Sequence, residues 1–208
     1  MTVTLAMLVK DPPIDRMAAL LDLVSPIVGQ TVVVVDDRTR DSDVRLIESW
    51  GAQAVPWSWN DNFSDARNAA LPFAKGDWIL HLDPDEVPTL AAMEFIRAVD
   101  AGIWTQGTLH EGSFYPEAQG YLFWFRNYWG GERGEEREYH WHCRLFRRAL
   151  GSWYKPVHEQ VALDSRLESQ TRGTPLLPKA PKGAYVIHSK PAEALAAADT
   201  QYAAIEKA

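Results

Sequence analysis

The stretch Gly76–Glu86, which reads GDWILHLDPDE, decides how the fold of this 208-residue chain is interpreted. Between Trp78 and Leu82 every residue is apolar except His81, as expected of a buried strand. Pro84 has no backbone N–H to donate to a sheet ladder, so the strand must end before it. The sequence therefore predicts a strand that leads directly into an acidic cluster.

The acidic cluster offers two carboxylates at alternate positions, Asp83 and Asp85. In an extended chain both can face one Mg²⁺ or Mn²⁺ ion, because these hard cations prefer carboxylate and diphosphate oxygens. The same residues also suit a solvated turn in which Asp85 or Glu86 caps the next helix. The apolar strand before the cluster, its predicted place at a sheet edge and further acids at equivalent edges together favour the metal.

Upstream of this stretch, strands and helices alternate. Strands are predicted at Thr2–Val9, Thr31–Val35 and Ala52–Trp57, and helices at Ile14–Val28, Asp41–Trp50 and Asn62–Ala74. Asp41 or Ser42 is the expected cap of the second helix, and Ser64 that of the third. Such alternation implies a mostly parallel sheet that binds ligands beyond the carboxyl ends of its strands. Asp11 and Asp36 are therefore expected to join the acidic cluster there.

The second half of the chain has a more aromatic and charged composition. A helix is predicted from Thr89 to about Ala101, strands at Gly120–Phe125, His142–Phe146 and Gly183–His188, a loop at Leu167–Lys182, and a helix at Ala192–Lys207. The fold class is thus α/β, with a mixed, mostly parallel central sheet flanked by helices. The length and a hydrophobic content of 46% favour one domain.

Composition limits the classes of partner. A formal net charge of −7 argues against broad attraction to nucleic acid or to anionic membranes. The single cysteine, Cys143, cannot form an intramolecular disulfide, and no apolar run is long enough to span a bilayer. With no leader-like segment at the start, the cytoplasm is the expected compartment, and peripheral contact with a membrane stays open. Tryptophan is frequent, with nine residues, for which core packing is favoured over sugar stacking.

Two other site chemistries are disfavoured by the sequence. Lys10–Pro13, after the first strand, lacks the glycines of a phosphate-binding loop, which argues against Rossmann dehydrogenases and P-loop enzymes. His140, His142 and Cys143 resemble zinc ligands, but side chains alternate between the two faces of a strand, so His142 and Cys143 face opposite sides, and no second ligand pair accompanies them.

Four motifs in order resemble the family 2 glycosyltransferases. They are Val9-Lys10-Asp11, Asp36 with Asp41, Asn62-Phe63-Ser64-Asp65-Ala66-Arg67-Asn68 and the stretch Gly76–Glu86. The resemblance implies a GT-A fold over residues 1–208, with a nucleotide-sugar-binding half at 1–100, an acceptor-binding half at 101–191 and a C-terminal helix at 192–208. It also implies a metal-dependent, inverting transfer of a sugar from a UDP- or GDP-sugar, assisted by Mn²⁺ or Mg²⁺, to an acceptor hydroxyl; the acceptor itself is not encoded.

The resemblance also suggests which residues bind the donor. Val9, Asp11 and Asp36 would contact the nucleobase, and Arg67 would lie near the base or diphosphate. Asp83 with Pro84 would bind the ribose side of the donor, and Asp85 the metal, with Glu86 capping or assisting. A surface salt bridge from Arg67 to Asp65 or Asp61 is the alternative for that residue.

Glu159 and His188 complete the set of predicted site residues. Glu159 is the candidate base that accepts the acceptor's proton, and partial burial is expected to raise its pKa. The alternative is an ion pair with Arg144 or Arg147 that only holds the loop. His188 closes an apolar strand and is expected to bind the metal or diphosphate, with a purely structural histidine as the alternative.

Two rival functions remain. A nucleotidyltransferase that builds nucleotide sugars has the same fold, but it is disfavoured because those enzymes carry a basic, glycine-rich loop where this chain has Asp11-Pro12-Pro13. A sugar- or nucleotide-binding module that lost turnover is the rival from a non-enzyme class, and it would bind ligand without transfer that depends on Glu159.

Overall fold

The computed structural model describes residues 2–102, 118–129, 135–163, 177–181, 183–190 and 204–205. Within them the strands are β1 Val3–Val9, β2 Gln30–Asp36, β3 Gln53–Trp57, β4 Trp78–His81, β5 Glu86–Pro88, β6 Gly120–Trp129, β7 Glu135–Arg147, β8 Gly151–Tyr154, β9 Gln160–Leu163 and β10 Tyr185–Lys190. The helices are α1 Ile14–Val24, α2 Asp41–Ser49, α3 Phe63–Asn68 and α4 Leu90–Ala101, with short 3₁₀ turns at Ser25–Ile27 and Leu71–Phe73. Most of the predicted loop Leu167–Lys182 and helix Ala192–Lys207 lies outside the described residues.

The central sheet has eight strands in the order β3-β2-β1-β4-β7-β6-β10-β5. The first four run parallel to one another, as the alternating pattern predicts. β7 is antiparallel to both β4 and β6, and β10 is parallel to β6 but antiparallel to β5. The sheet is therefore mixed, and the carboxyl ends of β1, β2, β3 and β4 lie along one edge.

Helices cover one face of the sheet. There α1, α2 and α4 bury side chains such as Met17, Ile47 and Phe95, and the Phe95 ring packs edge to face on aromatic rings of β6. On the other face, the 3₁₀ turn after α3 and the β8–β9 hairpin pack around Phe146 and Trp153. Burial of this kind stabilises a fold by roughly 25 cal/mol for each Å² of apolar surface removed from water.

Two predicted helix caps are wrong. The residue before α2 is Arg40, which makes no side-chain cap, and neither Asp41 nor Ser42 fills that role. Helix α3 is capped by Asn62, whose side-chain oxygen accepts from the Asp65 N–H. α3 also ends at Asn68, well before the predicted Ala74.

The β8–β9 hairpin and β5 are absent from the sequence interpretation. β8 and β9 form a separate two-stranded sheet, and side chains of α3 form hydrogen bonds to the backbone of this hairpin. Asn68 accepts from the Trp153 N–H and donates to the Trp153 carbonyl, each over 2.9 Å. The Ser64 hydroxyl, inside the helix rather than at its cap, donates to the Lys155 carbonyl over 2.5 Å. This docking brings Glu159 to the nucleotide half of the sheet.

Candidate functional site

A cleft of about 210 Å³ opens beyond the carboxyl ends of β1, β2, β3 and β4. Its lining combines aliphatic, aromatic, basic and acidic side chains: Leu8, Val9, Lys10, Asp36, Arg38, Trp57, Trp59, Phe63, Arg67, Asp83, Pro84 and Asp85. Six predicted donor-site or metal-site residues therefore meet in one cleft: Val9, Asp36, Arg67, Asp83, Pro84 and Asp85. Asp11 is exposed and lies next to the lining residue Lys10 without lining the cleft itself.

Asp36 is held in place by Arg38. Arg38 donates from Nε to Asp36 Oδ1 over 2.8 Å and from Nη2 to Oδ2 over 2.5 Å, and its backbone N–H also donates to Oδ1. These hydrogen bonds lower the pKa of the Asp36 carboxyl, although burial opposes them. An ionised carboxylate with a fixed orientation therefore ends β2 at the cleft.

Arg67 is the centre of a buried ion-pair network. Its Nε donates to Glu159 Oε1 over 2.6 Å, and Nη1 and Nη2 donate to the two oxygens of Asp83 over 3.0 and 3.2 Å. The Arg67 side chain is only 8% exposed, so the alternative of a surface salt bridge to Asp65 or Asp61 is wrong. The alternative for Glu159, an ion pair with Arg144 or Arg147, is also wrong, because its partner is Arg67.

The network lowers the pKa of both carboxyl groups. Burial alone would raise the pKa of Asp83, but Arg67 and His81 outweigh burial and hold it well below its usual range. Burial is the largest single effect on Glu159 and raises its pKa, but the charge of Arg67 and the hydrogen bonds to the carboxylate together outweigh burial, so the pKa of Glu159 falls. The expectation that partial burial raises this pKa is therefore wrong.

Glu86 stabilises the acidic turn through hydrogen bonds to the backbone of Asp83. Its Oε2 accepts from the Asp83 N–H over 3.1 Å, and its own N–H donates to the Asp83 carbonyl over 3.0 Å. Arg144 on β7 donates to Glu86 Oε1 over 2.5 Å, and the Glu86 side chain is 2% exposed. Glu86 therefore caps the turn, and the N-cap of α4 is Thr89.

The His81 ring lies between Arg144 and Asp83. Its Nδ1 lies 3.0 Å from Arg144 Nη1, and its Nε2 lies 3.4 Å from Asp83 Oδ1 and in close contact with Arg67 Nη1. Burial, followed by the two arginines, lowers the pKa of His81 to about 3. A neutral ring that accepts from Arg144 at Nδ1 donates from Nε2 to Asp83, so His81 supports the orientation of that carboxylate.

Asp85 and His188 lie together at the other side of the turn. His188 Nε2 is 3.4 Å from Asp85 Oδ2, and both side chains are about one-fifth exposed. β10 brings His188 there by pairing with β5, where His188 lies opposite Glu86. One carboxylate and one imidazole suit a divalent cation that takes its other ligands from a diphosphate.

Among the described residues, no group of three His, Cys, Asp or Glu side chains converges to hold a metal. The His140 and His142 rings are 4.2 Å apart on one side of β7, while burial raises the pKa of the Cys143 thiol to about 12. The pair Asp85 and His188 would need ligand oxygens to complete a coordination shell.

The backbone around the cleft is strained at four non-glycine residues with positive φ. They are Asp11 at 43°, Asp61 at 58°, Lys155 at 74° and His158 at 49°, in the loops after β1, β3 and β8. Such residues concentrate at functional sites, because the surrounding structure must hold them in place.

Several cleft and network residues were missed from sequence. Trp59 and Phe63 line the cleft and pack edge to face, with ring centroids 4.7 Å apart. Arg38 carried a usable signal, because it follows Asp36 at the spacing of an Asx-type turn. Nothing local could have indicated that Arg144 pairs with Glu86, since 58 residues separate them.

The parallel strands, the acidic turn at their carboxyl edge and the cleft beside it together define a GT-A type of nucleotide-sugar transferase fold. The family described as Glycosyl transferase family 2 has a sequence model that matches residues 18–151, more than half of the chain. The chain belongs to this family.

Solved structures agree on the fold. The structure of TarS 1-349 from S. aureus in complex with UDP-GlcNAc matches with a TM-score of 0.56 and 14% identity, over 91% of this chain and 59% of TarS 1-349. The complex of TarS 1-349 with UDP matches with a TM-score of 0.51 and 13% identity, over 91% and 61% of the two chains. These matches confirm the predicted GT-A fold with its mixed α/β sheet.

A curated relative matches over a shorter stretch. The TPR repeat-containing protein Synpcc7942_0270 from Synechococcus elongatus is 40% identical over 67 residues, which is 32% of this chain and 17% of that protein. The chain thus spans about three-fifths of the TarS 1-349 structures and a smaller part of the curated relative. None of the helices in the described residues has the length and apolar character needed to cross a membrane.

Proposed function

We propose that this chain binds a nucleotide-diphosphate sugar in the cleft beyond β1 to β4 and transfers the sugar to an acceptor hydroxyl with inversion, assisted by Mn²⁺ or Mg²⁺. The observation that carries the proposal is the meeting of Asp36, Asp83 and Asp85 in one cleft with an aromatic wall. The TarS structures with UDP-GlcNAc and with UDP support a nucleotide-sugar ligand of this kind.

In this proposal the two fixed carboxylates recognise the nucleoside. Asp36 accepts from an N–H of the base, which suits uracil and guanine because both carry a ring N–H flanked by a carbonyl. Asp83 accepts from the ribose hydroxyls, and its ion pair with Arg67 keeps it ionised for this role. Trp57 and Trp59 supply apolar surface for the base.

Asp85 and His188 would hold the metal in the proposed reaction. A bound divalent cation supplies Lewis-acid stabilisation of the negative charge that develops on the departing nucleoside diphosphate. The chain's own contribution is to hold a carboxylate oxygen and an imidazole nitrogen 3.4 Å apart beside the cleft.

Glu159 remains the proposed base, although its pKa is lowered rather than raised. Arg67 keeps Glu159 ionised at neutral pH, which is the form that accepts a proton, although it also weakens the carboxylate as a base. The same ion pair favours a second candidate function, a nucleotide-sugar-binding module without turnover, in which Glu159 only anchors Arg67. The two candidates differ in whether donor binding is followed by transfer.

Calorimetric titration of UDP and GDP, each with and without Mn²⁺, tests the donor site. The proposal expects metal-dependent binding of one nucleotide that is lost in Asp85→Ala and weakened in Asp36→Asn. Asp22→Ala, at an exposed position of α1, is the matched control and should bind like the wild type. Absence of binding by either nucleotide under every condition would contradict the donor-site assignment.

Turnover is then measured as release of the nucleoside diphosphate from UDP- and GDP-sugars across a panel of hydroxyl acceptors. Glu159→Gln should keep nucleotide binding and lose acceptor-dependent release by about 100-fold or more, within the range that general-base catalysis contributes. Equal release by wild type and Glu159→Gln would identify another base. Nucleotide binding without any release across the panel would favour the binding module.

A further inference from the structure

Asn127 on β6 is a buried amide next to the candidate metal ligand His188. The two residues are register partners in the parallel pairing of β6 with β10, and Asn127 is 5% exposed. Asn127 Oδ1 lies 2.8 Å from His188 Nδ1, and Asn127 Nδ2 lies 3.3 Å from His140 Nδ1. The amide therefore sits between two imidazole rings from two neighbouring strands.

The Asn127 amide has a defined orientation between the two rings. Its nitrogen, which can only donate a hydrogen bond, faces His140 Nδ1. The amide oxygen then faces His188 Nδ1, and an amide oxygen can only accept a hydrogen bond. His188 must therefore carry its proton on Nδ1.

A neutral imidazole with its proton on Nδ1 has a lone pair on Nε2. In this chain Nε2 is the atom that faces Asp85 Oδ2 over 3.4 Å, and Oδ2 also carries lone pairs. Two facing acceptor atoms repel each other unless a proton or a cation lies between them. The orientation that Asn127 imposes is thus the one that suits a metal ligand.

We propose that Asn127 is a positioning residue that fixes His188 in the Nδ1–H tautomer, so that Nε2 and Asp85 bind a divalent cation together. This inference rests on the metal site of the proposed function and extends it to a residue outside the cleft. Hydrogen bonds to the second nitrogen of a ligating histidine commonly change metal affinity by about 10- to 100-fold. A loss of this size is expected when the amide is removed.

The tautomer is measured directly by long-range ¹H–¹⁵N NMR on the wild-type chain labelled at histidine nitrogens, at alkaline pH and without metal. The His188 signals are assigned by their loss in His188→Gln. We expect Nδ1 to be protonated and Nε2 to be unprotonated. Protonation of Nε2 instead would overturn the inference, whatever the protein binds, and this measurement does not depend on any variant at position 127.

Mn²⁺ affinity is measured in parallel by calorimetry and electron paramagnetic resonance, alone and with UDP. Asn127→Leu should lower the Mn²⁺ affinity by about 10- to 100-fold and release the tautomer preference of His188. Asn127→Asp keeps an oxygen acceptor toward His188 Nδ1 and should keep both the tautomer and most of the affinity. Mn²⁺ affinity in Asn127→Leu equal to the wild type would overturn the positioning role.

The outcomes separate this inference from the proposed function. Metal-dependent UDP binding that is insensitive to Asn127→Leu would retain the donor site and reject the role of Asn127. UDP binding without any Mn²⁺ dependence would reject the metal pair itself, and with it the inference. The expected combination is metal-dependent UDP binding and the Nδ1–H tautomer in the wild type, with Mn²⁺ affinity lowered by about 10- to 100-fold and no tautomer preference in Asn127→Leu.

Discussion

Arg67 donates to Glu159 over 2.6 Å, and this contact joins two residues that lie 92 positions apart in the chain. Arg67 belongs to α3, on the nucleotide side of the sheet, whereas Glu159 lies at the turn of the β8–β9 hairpin. The same guanidinium holds Asp83, so one buried cation neutralises charge from two parts of the candidate site. The position of the proposed base is therefore linked to the acidic turn.

Replacing Arg67 by alanine should destabilise the protein by about 3–5 kcal/mol, because it leaves two buried carboxylates without their cation. Glu159→Gln, which keeps an oxygen acceptor and leaves Arg67 paired with Asp83, should cost only about 1–2 kcal/mol. Urea unfolding at neutral pH measures both values. If the free energy of unfolding of Arg67→Ala lies within about 1 kcal/mol of the wild-type value, the buried ion pairs of Arg67 do not stabilise the fold as expected.

Asn68→Ala should loosen the docking of the hairpin on α3. The side chain makes two hydrogen bonds to the Trp153 backbone, and at about 1 kcal/mol each their loss should cost about 2 kcal/mol. Asn60→Ala, an exposed position whose amide contacts only Asp65 among the bonds described, should stay within about 0.5 kcal/mol of the wild type. Similar losses in the two variants would show that the hairpin is held by other contacts.

Acidification should destabilise the chain through His81 before the carboxylates protonate. The pKa of His81 is lowered to about 3 by burial and the two arginines, so the unfolded chain binds a proton below about pH 6.5 that the folded chain does not. The free energy of unfolding should therefore fall as the pH drops from about 6.5 toward 3, by up to about 1.4 kcal/mol per pH unit.

His81→Gln tests this pH dependence. Between about pH 6.5 and 5 most Asp and Glu side chains stay ionised. In this range the free energy of unfolding of the variant should depend less steeply on pH than that of the wild type, by up to about 1.4 kcal/mol per pH unit. His158→Gln, at an exposed position, is the matched control for the removal of a histidine. An unchanged slope in His81→Gln would mean that the ring takes up a proton in the folded chain.

Glycine should be preferred over alanine at Lys155. Its φ of 74° is a left-handed conformation that costs a residue with a Cβ about 1–2 kcal/mol. Because Lys155→Gly and Lys155→Ala both remove the same side chain, the glycine variant should be the more stable by about 1 kcal/mol in thermal or urea unfolding. At Arg45, exposed within α2, the order should reverse, because glycine weakens a helix interior by about 1 kcal/mol relative to alanine.

The nucleotide half was predictable because its signals are local. Runs such as Thr31–Val35 show a strand directly, and the carboxyl-edge rule for parallel sheets then brings Asp36 and Asp83 together without any tertiary information. His188 was predicted because it closes an apolar strand, and Glu159 because it lies in the stretch 153–161, whose aromatic and proline content suits a pocket wall. The meeting of Val9, Pro84 and Asp85 with these acids follows from strand order.

The rest could not be predicted, because it depends on partners that are distant in sequence. β5 has three residues and β8 and β9 have four each, which is too short for a periodic pattern to stand out. The pKa of Glu159 was predicted in the wrong direction because burial is visible in a sequence while a cation 92 residues away is not. Glu86 caps the acidic turn, and this role likewise depends on a distant partner, Arg144 of β7.

The strand order has a consequence for how the protein forms during synthesis. β10 inserts between β6 and β5, so Ile187 pairs with Val87 across 100 positions of the chain, and such distant pairings form slowly. Asp85 leaves the ribosome about 100 residues before its neighbour His188. A nascent chain can therefore complete the four parallel strands early, while the part of the site that would bind a cation must wait for the last strand.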